Sequence, residues 1–205
     1  MTLYLGLTGG IATGKSVASN YFSKQGIPVV DTDKIAHQLM EPGKRNYQGI
    51  VDYFGKSILN QDLTINRRIL GQIVFNEPEQ LAALNAITHP WIKHEAMQQM
   101  VIFHQLGHKL CVVDVPLLFE SGWDEDVDRT IVIAAKQDLE VKRLMERNNL
   151  DRQAALERIQ SQMPLAEKIK RADYTIENNG TIAELEHQLA DLLKMLRKVD
   201  TDGMS

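Results

Sequence analysis

Five apolar runs punctuate the chain: "LYLGLT" (3–8), "IPVVD" (27–31), "LCVVDV" (110–115), "RTIVIA" (129–134) and "DYTIE" (173–177). Four are rich in β-branched residues, and their hydrophobicity is nearly continuous rather than alternating. Strands covered on both faces of a parallel sheet read this way. Between the runs the apolar period becomes helical. "GKSVASNYFSKQG" follows the first run and closes on Gly26, a candidate C′ residue. "DLEVKRLMERNN" follows the fourth, and "TIAELEHQLADLLKMLRKV" carries an i, i+3, i+4 stripe near the end of the sequence. Strands alternating with helices predict right-handed βαβ units and a doubly wound, five-stranded parallel α/β sheet.

About 78 residues separate the second and third runs, too many for one crossover. This gap holds helical patterns ("DKIAHQLM", "RRILGQIVF", "PEQLAALNAITHPWIKHEAMQQMVIFHQLG") and no convincing strand. The pattern predicts a core of residues 1–33, 109–136 and 169–205, a helical insertion at 34–108 and a basic helical lid at 137–168. Pro90 is expected to end or redirect its helix, placing His89 at a cleft or in packing beside Trp91. The tail "DTDGMS" is expected to fray.

Composition narrows the class without naming it. The chain of 205 residues is 43% hydrophobic and 24% charged, as soluble globular domains are. A net charge of −4 disfavours a dedicated nucleic-acid binder. No apolar run approaches the roughly 20 residues of a membrane span, and no signal-peptide pattern opens the chain. Cys111 is the single cysteine, within "KLCVVDV", so an intrachain disulfide is impossible and a buried structural thiol is expected. These features predict a cytoplasmic protein.

The chemistry starts at Gly9-Gly10-Ile11-Ala12-Thr13-Gly14-Lys15-Ser16, which fits G-x-x-x-x-G-K-[ST] between a strand and a helix. Glycines let successive backbone N–H groups turn toward phosphate oxygens, and the helix that follows adds its positive end. Lys15 is placed to reach the β/γ-phosphates, and the Ser16 hydroxyl to ligate Mg2+. No Asn-Lys pair exists to read guanine, and Asp52-Tyr53-Phe54-Gly55 lies in the helical insertion rather than at a strand end. Asp114 ends the third strand, where it can face a metal or cap the strand. Asp31 and Asp33 follow the second strand, where α/β sheets bind ligands, or they shape an ordinary turn. Arg143 and Arg147 share a helix face, with Arg152 and Arg158 beyond them; such a run is solvated surface or a phosphate-neutralising lid. His104 and His108 lack a third partner and a zincin-type glutamate, so no zinc site is expected.

Taken together, these segments resemble the dephospho-coenzyme A kinase family from Leu5 to about Leu189. The resemblance is carried by "GLTGGIATGKS", "VVDTDKIAHQL", "FGKSIL" with "NRRILGQIVF", "THPWI", "DVPLLFESG", "RLMERN…ALERIQSQ" and "ADYTIENNGT". Thr32, Asn66 and Glu140 depart from it, standing where the family often has Ala, Asp and Gln. It implies a P-loop kinase fold and ATP-dependent phosphorylation of the ribose 3′-hydroxyl of dephospho-CoA, with Mg2+. By the same resemblance Asp33 would be the general base, and Lys15, Arg143 and Arg147 would stabilise the transferring phosphoryl group. Gly10, Ile11, Ala12, Thr13, Gly14, Lys15, Ser16 and Val17 would hold ATP, with Asn178 near its adenine. Thr8, Asp33, Arg67, His89, Asp114, Leu117 and Leu118 would contact the coenzyme substrate, and Ser16 and Asp114 the metal. Neither nucleic acid nor membrane is expected as a partner, and a homo-oligomer is left open. The rival readings are a nucleoside or nucleoside-monophosphate kinase, and a nucleotide-switch module with little catalysis.

Overall fold

The computed structural model describes residues 1–202. Its strands are β1 (Leu3–Gly9), β2 (Val29–Asp31), β3 (Leu110–Asp114), β4 (Arg129–Ala134) and β5 (Tyr174–Glu177). They form one sheet in the order β2-β3-β1-β4-β5, all parallel. β1 is therefore the central strand, its Leu7 opposite Asp114 of β3 and its Gly9 opposite Ile133 of β4. β2 is shorter than its apolar run because Pro28 has no N–H to give a ladder. The Pro28 carbonyl still accepts from Val112 N at 2.9 Å. Asp173 likewise stays outside β5, where its carboxylate accepts from the backbone and hydroxyl of Thr130 at 2.8 and 2.9 Å.

The helices are α1 (Lys15–Lys24), α2 (Thr32–Leu39), α3 (Arg45–Phe54), α4 (Arg67–Asn76), α5 (Pro78–Gln105), α6 (Gln137–Asn148), α7 (Arg152–Gln160), α8 (Leu165–Arg171) and α9 (Ile182–Asp202). Of the tail expected to fray, 200–202 belong to α9 and 203–205 lie outside the described residues. The chain divides into two compact units, 1–30 with 103–205, and 31–102.

The first unit is centred on Leu5, Leu7, Phe22, Val112, Ile131 and Leu189, all fully buried. α1 closes as its sequence predicts. Gly26, at φ 75°, donates to Ser23 O at 3.0 Å and Ile27 to Phe22 O at 3.1 Å, with Ile27 and Phe22 both buried. That is a Schellman end with its apolar contact.

The second unit packs Ile50, Ile58, Ile65, Leu70 and Val74 into a core of its own. Here α5 runs unbroken through Pro90, correcting the expectation of a break. A mid-helix proline costs about 3 kcal/mol. Buried side chains on both sides of it (Thr88, Ala96 and Met100) outweigh that cost. His89 is consequently an exposed helical residue, and Trp91 lies beneath the Arg45 guanidinium at 4.7 Å.

Candidate active site

The loop between β1 and α1 is a cradle braced from several strands. Ala12 and Gly14 take left-handed backbone conformations, φ 60° and 99°, which turn the chain back on itself. Thr13 is buried, and its hydroxyl donates to Gly10 O at 2.9 Å, closing the loop from within. Gly14 is required as well as permitted, because a Cβ there would collide with Asn178 Nδ2. α1 has no side-chain cap, which leaves its first N–H groups for a ligand.

Asn178 follows β5 and is only 7% exposed. Its backbone N–H donates to Ala134 O at 2.7 Å and its side-chain amide to Thr13 O at 2.8 Å. The side chain expected beside an adenine thus also braces the loop.

Across the cradle, Lys15 Nζ donates to Asp114 Oδ1 at the end of β3. Asp114 sits at the end of β3 and Lys15 at the start of α1, so the loop between β1 and α1 brings the pair together. Thr8 and Leu118, expected as substrate contacts, have no exposed surface. The Thr8 hydroxyl donates to Pro116 O at 2.9 Å, and Leu118 packs against Gly6 beside Val127. Both fix the segment after β3, and of its two leucines only Leu117 is exposed.

α6 flanks the cradle. Val141 and Leu144 pack with Ala155 and, from the loop, Ile11 and Ala12. Arg143 is half-buried, and its Nη1 has no hydrogen-bond partner among the described residues. Arg147, a turn later, is exposed and donates from Nε to Asn148 Oδ1 at 2.9 Å. Ser16 is exposed at the start of α1.

The second unit holds the remaining candidates. Asp31 caps α2 by accepting from Lys34 N at 2.9 Å, which gives it a structural role of its own. Asp33 is exposed in the first turn of α2, and Arg67 is exposed in the first turn of α4 behind the Asn66 cap. The two histidines discounted as a zinc pair are tied elsewhere. The Thr2 hydroxyl donates to His108 O at 2.6 Å, so it accepts from His104 Nδ1 at 3.0 Å. Burial pushes the Cys111 thiol up to about 12, which makes it inert.

Two charged residues near the cradle were not legible as site residues, Glu140 and Lys168, while Glu120 was expected, within "PLLFE", among the substrate contacts. Lys168 is fully buried on α8, with Nζ 2.9 Å from Glu120 Oε1 and 3.3 Å from Pro116 O. Glu120 also accepts from Met163 N at 3.1 Å, joining the segment after β3 to the start of α8. Glu140 is 3% exposed and faces Gly10. A signal existed for Glu140, which falls four residues before Leu144 on the apolar stripe of α6.

A central strand, a glycine loop closing into a helix, and a lysine paired to a strand-end aspartate define a P-loop phosphotransferase. Comparison with known proteins makes this specific. The dephospho-CoA kinase family model matches residues 3–184. A dephospho-CoA kinase of Lactobacillus johnsonii is 52% identical over 194 residues, covering 95% of this chain and 98% of that protein. Among solved structures, a dephospho-CoA kinase from Campylobacter jejuni superposes with a TM-score of 0.74 at 32% identity, covering 98% of this chain and 100% of that one. A Thermus thermophilus protein does so at 0.81 and 33%, covering 95% and 98%. The chain belongs to the dephospho-CoA kinase family, whose reaction is the ATP-dependent phosphorylation of dephospho-CoA that completes coenzyme A synthesis.

Proposed function

We propose that this cradle binds the phosphates of ATP and directs the γ-phosphoryl group to the ribose 3′-hydroxyl of dephospho-CoA, giving coenzyme A and ADP. The Lys15–Asp114 pair carries the reading: it keeps a mobile ammonium at the loop and a buried carboxylate beside it. The N–H groups of residues 10–16 would hold phosphate oxygens, and Lys15 would turn from Asp114 to them. Ser16 and Asp114 are hard oxygen donors, a set that suits Mg2+, and they would hold it. The ion, when bound, neutralises charge on the β- and γ-phosphates. Arg143, with its unpartnered buried Nη1, and the more exposed Arg147 would stabilise the charge that spreads over the transferring group. Residues 137–168 would act as a lid that keeps water from competing with the acceptor. Arg67, His89 and Leu117, all exposed, would bind the coenzyme substrate.

Asp33 would orient the ribose hydroxyl and take its proton late, as the new P–O bond forms. The test is formation of coenzyme A, read by mass, from Mg-ATP and dephospho-CoA with the wild type, Asp33→Asn and Asp31→Asn. We expect kcat to fall about 10²-fold or more in Asp33→Asn with Mg-ATP binding preserved. Asp31→Asn should be milder, because Asn also caps helices. Full turnover in Asp33→Asn with none in Asp31→Asn would move the base to Asp31. Full turnover in both would remove acid–base catalysis from the mechanism.

A further inference from the structure

Glu140 is a carboxyl built into the wall of the cradle, and nothing in the reaction above uses it. Its Oε1 lies against Gly10, so closely that a Cβ at Gly10 would collide with it, and has no hydrogen-bond partner among the described residues. With Gly10, Ile11, Gln160 and Met163 it lines a cavity of about 420 Å³ within the first unit. No other charged side chain lines that cavity among the described residues.

The charges around it are few. From α8, Lys168 draws it toward the ionised form, but that ammonium is already held by Glu120 and the Pro116 carbonyl. On its own helix Arg143 stands three residues on, and on α1 Lys15 is bound to Asp114. α7 and the segment after it bring Ile159, Gln160, Gln162 and Met163, none of them titratable. Burial consequently dominates, and it pushes the carboxyl up to about 7.

We propose that Glu140 is a positioning residue that must be protonated when a polyphosphate occupies the cradle, so that nucleotide binding takes up a proton from solvent at this carboxyl. The proposal rests on the assignment of residues 10–16 as the ATP phosphate site. An ionised carboxylate against Gly10 would face phosphate oxygens of its own sign in a site with little water to screen them. Protonated, the same group is neutral and carries an O–H that can donate to them. The proton returns to solvent when the nucleotide leaves. Glutamine has the same shape and a donor but does not titrate, so Glu140→Gln separates charge from packing.

The experiment is calorimetric titration with Mg-ATP at pH 6, 7 and 8, in two buffers of different ionisation enthalpy, on the wild type, Glu140→Gln and Lys15→Ala. Differences from Glu140→Gln cancel the titration of the nucleotide itself. The wild type should take up about half a proton more than Glu140→Gln at pH 7. Its affinity should weaken about tenfold more than the variant's between pH 6 and 8. At pH 6, where the wild-type carboxyl is already mostly protonated, the two should bind equally tightly. Parallel pH profiles for the two, whether or not the variant binds more weakly, would overturn the proposal and leave Glu140 a packing residue. Wild-type affinity in Lys15→Ala would instead overturn the assignment of the cradle, a failure with a different signature.

Discussion

Two lysines in the first unit each meet a carboxylate, and the two pairs are inverted in their exposure. At Lys15–Asp114 the lysine side chain is 18% exposed and the aspartate 5%; at Lys168–Glu120 the lysine is 0% exposed and the glutamate 22%. The difference decides which partner can leave. Lys15 follows a glycine loop and, in the function proposed above, would swing toward a bound phosphate. Lys168 has no route to solvent and is held by Glu120 and one carbonyl. On that reading the first pair would be exchanged during the reaction, while the second holds α8 to the segment after β3. A contact of the same chemistry becomes functional or structural according to which of its members is buried.

Breaking the exchangeable pair should show in turnover. Lys15→Ala should lower kcat by about 10²- to 10³-fold, since one group aimed at developing charge is worth roughly 3–4 kcal/mol. Water entering beside Asp114 should hydrate the carboxylate left behind, so the melting temperature should move much less. A large fall in melting temperature with normal kcat would reverse the roles of the two pairs.

Breaking the fixed pair should show in stability. Glu120→Gln strands the Lys168 ammonium and should cost about 3 kcal/mol, the lower end for a broken buried pair because Glu120 touches solvent. In a domain of this size that lowers the melting temperature by roughly 10 °C. Thermal melts at neutral pH would check it, and an unchanged midpoint would show that Lys168 needs no partner.

A comparable effect concerns Glu140, which Lys168 also faces. An acid whose folded pKa is raised from about 4.5 to about 7 adds stability that is complete below the lower value and lost as pH rises through the upper one. Melts of Glu140→Gln and wild type should then coincide near pH 4. By pH 8 the variant should be the more stable, by roughly 10 °C. A constant offset between the two curves would mean that the carboxyl does not titrate in this range.

Much of this architecture could be read from the chain, for identifiable reasons. Strands buried on both faces leave nearly continuous apolar runs, so all five were visible. Pro28 and Asp173 shortened two of them, and β1 and β3 ended one residue away from their runs. The loop from Gly9 to Ser16 was visible because its chemistry needs glycines at fixed spacing. α3 was harder to see, although Tyr47, Ile50, Val51 and Phe54 repeat at helical spacing; its start at Lys44 carries no capping side chain. Pro90 misled because its local cost is real and only packing of the whole helix outweighs it. The buried, bracing contacts of Thr8, Leu118 and Asn178 were not legible. Which way a side chain turns at a strand end depends on neighbours brought there by other segments. The burial of Glu140 and Lys168 was not legible, since burial of a lone charged residue is decided by tertiary contacts.

The bond from Asn178 to Thr13 joins residues 165 positions apart. Synthesis runs from the amino terminus, so the phosphate loop is made first and waits for its brace until β5 and Asn178 have followed. Throughout that interval its glycines have their full freedom, and the carbonyl of Thr13 has no amide to receive. The element most recognisable in the sequence is thus among the last to gain its working shape. The growing chain must extend to Asn178 before its loop is held in this way.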